Sequence, residues 1–119
     1  MNIFIVEDEV LIRIFLKRVF EKNGCNIIGE TATGEEAIEM LKEHECDLIC
    51  LDIKLQGKLD GIETAKKIRE FSDTPIMFLS AYNENDIRQQ IKISNCIGYF
   101  DKPIKNGVIK NVIEELKKD

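Results

Sequence analysis

The chain has 119 residues and a formal net charge of −5 at pH 7, so it can build one domain around a single core. A nucleic-acid-binding surface needs clustered lysines and arginines, and this acidic balance therefore argues against direct nucleic-acid binding. The sequence contains neither a run long enough for a membrane span nor a signal-peptide pattern, which predicts a soluble cytoplasmic domain.

Five apolar runs of strand length recur along the chain. They are IFIV at 3–6, NIIGE at 26–30, DLICL at 47–51, PIMFL at 75–79 and CIGYF at 96–100. The segments between and after these runs carry apolar residues at helical spacing, which predicts five helices. The apolar residues at helical spacing are Val10, Ile14, Phe15 and Val19 in the first helix, and Ala37, Ile38 and Leu41 in the second. In the third helix they are Ile62, Ala65 and Ile68, and in the last they are Val108, Ile109, Val112, Ile113 and Leu116. The fourth helix, at 83–95, has the weakest pattern, with Ile87 and Ile91 on one face.

The alternation of strands and helices predicts an α/β domain with a parallel sheet. The runs at 3–6 and 47–51 are continuously apolar, as expected of strands buried on both faces, and right-handed crossovers place helices on both faces. Residues that start helices agree, because Gly34 precedes two glutamates, Asp60 can cap the third helix and Asn83 the fourth. Functional groups of such sheets lie beyond the carboxyl ends of the strands, at what we call the carboxyl edge.

Polar side chains follow each of the five predicted strands. In strand order they are Glu7 and Asp8, Thr31, Asp52, Ser80, and Lys102. Three carboxylates at one edge would repel one another unless a cation lies among them, and an all-oxygen set of ligands favours Mg²⁺. Glu9 comes next in the chain and can serve the positive N-terminus of the first helix.

The same group of side chains is suited to phosphate chemistry. A carboxylate such as Asp52 can act as a nucleophile and form an aspartyl phosphate. Mg²⁺ and Lys102 would neutralise the charge on the phosphoryl oxygens, and the hydroxyl of Ser80 would supply a neutral donor. Asp52 alone would be an ordinary strand-end acid, but the combination indicates a phosphoryl-transfer site.

Five motifs between residue 2 and about residue 116 resemble the receiver domain of two-component response regulators. The motifs are VEDE, DLICLDIKL, DGIETAKKIRE, FLSAY and GYFDKP. The resemblance implies one receiver domain over 1–119, with a flavodoxin-like (βα)5 fold, a sheet of strand order 2-1-3-4-5 and helices on both faces. It also implies a signalling switch that catalyses only its own phosphorylation and dephosphorylation.

The resemblance further implies a role for each matching acidic position. Asp52 would be the phosphoacceptor, taking a phosphoryl group from a phosphohistidine of a sensor histidine kinase or phosphotransfer protein. Glu7 and Asp8 would bind Mg²⁺ together with Asp52. The backbone carbonyl of Lys54 would complete the protein ligands.

The remaining implied roles concern the switch. Ser80 and Lys102 would contact the phosphoryl oxygens, and Tyr99 matches the aromatic residue that turns inward once Ser80 has moved. These shifts would repack the face built from the fourth helix, fifth strand and fifth helix, and so control a downstream effector domain or protein. The Lys102–Pro103 peptide bond would be cis. The chain would be a monomer or a weak homodimer through the fourth-helix face.

Some positions depart from the commonest pattern of this family. The first acid is Glu7 rather than aspartate. The loop after Asp52 lacks the usual proline, is one residue longer than usual and contains Gly57. Lys54 and Tyr82 occupy two positions that tune the lifetime of the phosphoryl group in the family, so an altered lifetime is expected.

The sequence leaves four other functions to be weighed. A receiver-like module could act through protein contacts alone, without phosphorylation, although the intact set of site residues argues against this. A small Mg²⁺-dependent aspartyl-phosphate phosphatase would need a second aspartate two residues after the nucleophile, where the chain has Lys54. A Toprim nucleic-acid enzyme fails the same Asp-x-Asp test, and a flavodoxin-like FMN binder would need a phosphate loop after the first strand.

The four cysteines are Cys25, Cys46, Cys50 and Cys96, and they lack the paired spacing of zinc sites. An aliphatic-rich domain in a reducing cytosol has no need of disulfides. The sequence therefore predicts buried or half-buried thiols.

Overall fold

The structure is a computed structural model that describes residues 1–81 and 93–118. Its strands are β1 (Asn2–Val6), β2 (Asn26–Thr31), β3 (Leu48–Asp52), β4 (Ile76–Ser80) and β5 (Cys96–Asp101). The described helices are α1 (Val10–Lys22), α2 (Gly34–Glu43), α3 (Gly61–Ile68) and α4 (Asn106–Lys117). Each predicted strand is present to within one residue at either end. Most of the predicted fourth helix, at 83–95, lies outside the described residues, and so does its predicted cap Asn83. The label α4 therefore belongs to the helix that the sequence predicts as the fifth.

All five strands are parallel, and their order is β2-β1-β3-β4-β5, which confirms the predicted fold. Asp52 of β3 pairs with Leu79 of β4, and Ser80 of β4 pairs with Asp101 of β5. The ends of these neighbouring strands are therefore level, which brings the residues that follow them together at the carboxyl edge.

Successive residues of the central strands alternate between two hydrophobic layers, one on each face of the sheet. Ile3 and Ile5 of β1 pack with α1 and α4, whereas Phe4 and Val6 pack with α2 and α3, and all four side chains are fully buried. Strands covered on both faces read as continuously apolar, which is what the sequence shows. The buried helical residues are Leu16, Val19, Phe20, Ile109, Val112 and Ile113 in the first layer, and Ala37, Ile38, Leu41, Ile62, Ala65 and Ile68 in the second.

Helix α1 carries apolar residues on more than its buried face. Val10, Ile14 and Phe15 carried the helical spacing in the sequence, but they are 57%, 42% and 42% exposed. Leu16 and Phe20 make the core contacts instead and are fully buried. The predicted helix is therefore confirmed, and some of the apolar residues whose spacing predicted it form an exposed apolar surface.

Side-chain caps begin two of the four described helices. Asp60 accepts a hydrogen bond from the N–H of Glu63, and the Glu63 carboxylate accepts one from the N–H of Asp60, so the predicted cap is a full capping box. Thr33 caps α2, because its hydroxyl accepts from the N–H of Glu36 at 3.3 Å. Glu9 is the N-cap residue of α1, but its side chain makes no capping hydrogen bond.

The four cysteines are free thiols, buried at Cys25 and Cys50 and half-buried at Cys46 and Cys96. Burial raises the pKa of Cys46 to about 11, so this thiol is protonated at neutral pH. Among the helices that the structure describes, none is long and apolar enough to cross a membrane.

Candidate functional site

Three carboxylates converge where β1 and β3 end. Oxygen atoms of Glu7, Asp8 and Asp52 all lie within 4.8 Å of one another. Glu7 is fully buried, Asp52 is 3% exposed and Asp8 is half-buried. The three acids that the sequence placed at strand ends therefore form one cluster, which we call the acidic pocket.

Lys102 is the counter-ion of the acidic pocket. Its ammonium lies 2.7 Å from Asp52 Oδ2, to which it donates a hydrogen bond, and 3.0 Å from Glu7 Oε2. The lysine side chain is 15% exposed. The peptide bond between Lys102 and Pro103 is cis, and the N–H of Lys102 donates to the carbonyl of Ser80 at 3.0 Å. One ammonium thus bridges two buried carboxylates.

Burial is the largest cause of the pKa shifts in the acidic pocket, and the neighbouring charges modify them. Burial, followed by the charge of Asp52, raises the pKa of Glu7 to about 7, although Lys102 and the N–H of Glu9 oppose this shift. Burial also raises the pKa of Asp52, against hydrogen bonds from Lys102 and the N–H of Lys54. For Lys102, burial lowers the pKa, but the two carboxylates outweigh it and the pKa is raised overall. Ionisation of Glu7 and Asp52 is therefore less favourable in the folded chain than it is for freely exposed carboxylates.

Two buried oxygen atoms of the site lack a hydrogen-bond partner among the described residues. They are Glu7 Oε2, whose contact with Lys102 is an ion pair without hydrogen-bond geometry, and the fully buried Oγ of Ser80. Buried polar atoms without partners are rare in native proteins and point to a missing ion or ligand. With Glu7, Asp8 and Asp52 ionised and Lys102 protonated, the side chains of the pocket carry a net charge of −2, because three negative charges meet one positive charge. Oxygen ligands and this charge fit a hard divalent cation such as Mg²⁺.

The backbone around Asp52 is fixed by α3. The N–H of Lys54 donates to Asp52 Oδ1 at 3.3 Å, and the N–H of Gly61 donates to the carbonyl of Ile53 at 2.6 Å. A Cβ on Gly61 would lie 2.0 Å from the carbonyl oxygen of Asp52, so only glycine allows α3 to begin this close to β3. Gly61 stands inside a motif recognised in the sequence, but its close approach to the site could not be read there.

The loop after Asp52 is tied to α2. Glu35 Oε1 accepts a hydrogen bond from the N–H of Leu59 at 2.8 Å. Gly57, which the sequence singled out in this loop, has a φ of +103°, and a Cβ there would lie 2.8 Å from Glu35 Oε2. The sequence showed Glu35 only as an acid in the first turn of a helix, so its contact with the loop was missed.

Two further predicted site residues, Tyr99 and Thr31, are not among the residues that form the acidic pocket. The Tyr99 ring is half-buried and stacks on Phe78 with a centroid distance of 5.0 Å and an interplanar angle of 9°. Thr31 is buried, and its hydroxyl donates to the carbonyl of Thr33 in the turn before α2. Tyr82 lies outside the described residues.

Comparison with known proteins agrees with this geometry. The family model of the response regulator receiver domain matches residues 3–114. The transcriptional regulatory protein PdtaR of Mycobacterium tuberculosis is 34% identical over 95% of this chain and 55% of its own length. Sporulation initiation phosphotransferase F of Bacillus subtilis is 32% identical over 96% of this chain and 91% of its own length. The chain thus spans about half of PdtaR and nearly all of the second relative.

Solved structures show the same fold. The N-terminal domain of a response regulator/sensory box/GGDEF 3-domain protein from Carboxydothermus hydrogenoformans matches with a TM-score of 0.87 and 30% identity, over 98% of this chain and 93% of that one. The signal receiver domain of a modulated diguanylate cyclase from Desulfovibrio desulfuricans also gives a TM-score of 0.87, with 31% identity over 97% of this chain and 91% of that one. Sheet order, acidic pocket and family match lead to one conclusion: the chain belongs to the response regulator receiver domains of two-component signalling.

Proposed function

We propose that this chain is the phosphoacceptor of a histidine-to-aspartate phosphorelay and that Asp52 carries the phosphoryl group. The observation that supports this most strongly is the convergence of Glu7 and Lys102 on the buried Asp52 carboxylate, with the lysine ammonium 2.7 Å from Asp52 Oδ2. In the proposed step, an Asp52 oxygen forms a bond to phosphorus while the bond from phosphorus to the histidine nitrogen of the partner breaks. The imidazole leaves with the electron pair of that bond.

Glu7, Asp8 and Asp52 would hold Mg²⁺, with the backbone carbonyl of Lys54 as a further ligand. When bound, the ion supplies positive charge for the phosphoryl oxygens and aligns them for in-line transfer. The net charge of −2 on the side chains of the pocket would be balanced by one divalent cation, which a monovalent ion could not do. Lys102 would exchange its contact with Asp52 for one with a phosphoryl oxygen.

Ser80 and Tyr99 are the residues that we propose to respond to phosphorylation. The Oγ of Ser80 is buried and has no hydrogen-bond partner among the described residues, so a phosphoryl oxygen within reach would give it one. The carbonyl of Ser80 accepts from the N–H of Lys102, so a shift at the end of β4 is coupled to β5. Tyr99 would follow by leaving its stack on Phe78, and so change the surface around β5 that an effector would contact.

The exposed apolar surface of α1 supports docking of the phosphodonor. Leu11 is 81% exposed, and together with Phe15 it borders an apolar cavity of about 200 Å³ that Pro103 and Ile104 also line. Lys102 lines the same cavity, so this surface is contiguous with the acidic pocket. A sensor histidine kinase or phosphotransfer protein would cover it when its phosphohistidine reaches Asp52.

Intact mass spectrometry after incubation with Mg²⁺ and acetyl phosphate tests the proposal. We expect one phosphoryl increment on the wild-type chain, none without Mg²⁺ and none on Asp52→Ala. Asp47→Ala is the matched control, because it removes an exposed aspartate at the opposite end of β3, and it should be phosphorylated like the wild type. A wild-type chain that binds Mg²⁺ but gains no phosphoryl group would instead be a module that acts through protein contacts.

A further inference from the structure

We infer that Arg13 is a positioning residue for the acidic pocket, because it holds the peptide group that joins Glu7 to Asp8. This inference rests on the proposed function, since it assigns a further residue to the proposed cation site. It concerns a side chain on α1 that touches neither the phosphoacceptor nor, in the described contacts, any carboxylate of the pocket.

The contact is a short hydrogen bond to the backbone. Arg13 Nη1 donates to the carbonyl oxygen of Glu7 at 2.7 Å. Glu7 lies one residue beyond the end of β1: its N–H still donates to the carbonyl of Thr31 at 3.0 Å, but its own carbonyl is past the last paired residue of the strand. The guanidinium of Arg13 therefore supplies a donor to a backbone carbonyl that lies beyond the paired residues of β1, at the first residue of the acidic pocket.

Rotation of this peptide group would move both acids. The Glu7 carbonyl and the Asp8 N–H belong to one rigid plane, so its orientation sets the direction in which the two side chains leave the backbone. The Glu9 N–H donates to Glu7 Oε1 at 3.1 Å, which adds a second restraint on the Glu7 carboxylate from the same turn. By holding the plane of the Glu7–Asp8 peptide group, Arg13 therefore fixes the relative positions of two proposed ligands.

The guanidinium is itself fixed at its other side. Arg13 Nε donates to Glu30 Oε1 at 3.3 Å, and Glu30 Oε2 lies 2.7 Å from the ammonium of Lys17. The Arg13 side chain is 17% exposed, so its guanidinium is largely shielded from water. Because a guanidinium is planar and offers several donors, it can bind a carbonyl on one side and a carboxylate on the other. Arg13 thus links the end of β1 to β2.

The charge of Arg13 gives the inference a sharp test. A positive charge that contacts the backbone of Glu7 repels any cation that enters the acidic pocket, so charge alone predicts that removing Arg13 tightens Mg²⁺ binding. A positioning role predicts the opposite. The sign of the change in Mg²⁺ affinity therefore separates the two effects.

The experiment measures Mg²⁺ binding by isothermal titration calorimetry on the wild type, Arg13→Met, Arg13→Lys and the control Arg18→Met. Arg18 is an exposed arginine on the same helix, so the control removes the same charge without touching the Glu7 carbonyl. We expect Arg13→Met to raise the Kd for Mg²⁺ by about tenfold, as loss of a supporting hydrogen bond does at metal sites, and Arg18→Met to leave the Kd unchanged or slightly lower. Arg13→Lys keeps the charge and one ammonium donor for the Glu7 carbonyl, so it should raise the Kd less than Arg13→Met, which removes that hydrogen bond altogether.

Amide hydrogen exchange provides the second readout. If Arg13 holds the Glu7 peptide group, the amides of Asp8 and Glu9 should exchange faster in Arg13→Met and remain unchanged in Arg18→Met.

An unchanged or lower Kd in a folded Arg13→Met chain would overturn the inference. If Arg13→Met does not fold, Glu30→Ala replaces it. This variant removes the acceptor of the Arg13 Nε hydrogen bond from outside the pocket, and an unchanged Kd would equally overturn the inference. A wild-type chain that binds no Mg²⁺ would contradict the proposed function, while the exchange rates would still report on Arg13.

Discussion

The two ends of the central strands both carry carboxylates, but these carboxylates have opposite effects on the fold. At the end where β1 and β3 begin, Asp47 is exposed, its carboxylate accepts from the N–H of Asn2 at 2.6 Å, and its own N–H donates to the Asn2 carbonyl at 2.8 Å. At the carboxyl edge, Glu7 and Asp52 are buried and share one lysine. The first carboxylate extends the pairing of two strands, whereas the second pair resists ionisation in the folded chain.

This difference shows where the fold gives up stability for function. A raised pKa means that the ionised carboxylate is less favourable in the folded chain than in the unfolded chain, and both Glu7 and Asp52 show this shift. Active sites commonly retain such destabilising groups because the reaction needs them. The two ends of the strands should therefore respond to substitution in opposite directions.

The largest effect is expected from Lys102→Met, which leaves two buried carboxylates without their ammonium. We expect the metal-free chain to lose about 3 kcal/mol of unfolding free energy, because removing one partner of a buried ion pair strands the other charge. Added Mg²⁺ should recover part of that loss. Urea unfolding with and without Mg²⁺ measures both effects.

The control for Lys102→Met is Lys118→Met, which breaks an ion pair of 3.1 Å in which both side chains are 70% exposed. That change should cost less than about 0.5 kcal/mol, since exposed ion pairs contribute little. Equal losses for the two variants would contradict the buried role of Lys102.

Two glycines extend the comparison to backbone packing. Gly61→Ala should destabilise the fold by about 2 kcal/mol, because the new Cβ would collide with the carbonyl of Asp52. Gly24, between α1 and β2, has a φ of +85° but open space around it, so Gly24→Ala should cost about 1 kcal/mol from backbone strain alone. Thermal unfolding of both variants tests whether the carboxyl edge is the tighter of the two regions.

The raised pKa of Glu7 predicts a pH dependence with a definite sign. The pKa of Glu7 is about 7 in the folded chain, whereas the ordinary value for a glutamate is 4.5. Between pH 4.5 and pH 7 the folded chain therefore binds this proton more tightly than the unfolded chain does, and stability falls as the pH rises. The wild type should be less stable than Glu7→Gln at pH 8, and the gap should close as the pH falls through 7 towards 5, by at most about 1.4 kcal/mol per pH unit. A difference that stays constant over that range would show that Glu7 titrates normally.

The smallest expected effect is the most direct contrast between the two ends. In the metal-free chain, Asp52→Asn should raise the unfolding free energy by about 1 kcal/mol, because it removes a buried charge with a raised pKa. Asp47→Asn should lower it by about 1 kcal/mol through a weaker hydrogen bond to Asn2. Both changes are measured by urea unfolding, and shifts of the same sign would contradict the comparison.

Most of the fold could be predicted from the sequence because burial on two faces leaves a clear pattern. The continuous runs at 3–6 and 47–51 mark β1 and β3, and the polar residue after each strand marks the carboxyl edge. Strand order came from the motifs of the receiver family rather than from the pattern of apolar residues. The acidic pocket followed from the rule that parallel strands bring their ends together.

The features that escaped prediction depend on contacts between distant residues. The exposure of Val10, Ile14 and Phe15 on α1 could not be predicted, because periodicity shows which residues share a face but not which apolar face meets the sheet. Arg13 and Glu35 carry no motif, and only the folded chain brings them to the Glu7 carbonyl and the Leu59 N–H. The acids and the lysine of the pocket could therefore be predicted from the sequence, whereas the groups that orient them could not.

The stack of Tyr99 on Phe78 gives this chain a built-in optical reporter. The sequence contains no tryptophan and two tyrosines, Tyr82 and Tyr99, so its near-ultraviolet emission comes from tyrosine. A phenol ring held 5.0 Å from the ring of a fully buried phenylalanine has a fixed, asymmetric environment, which gives it a near-ultraviolet circular dichroism signal. With Tyr82→Phe as the background, that signal would follow Tyr99 alone, and any repacking at β5 could be recorded in solution without an attached dye.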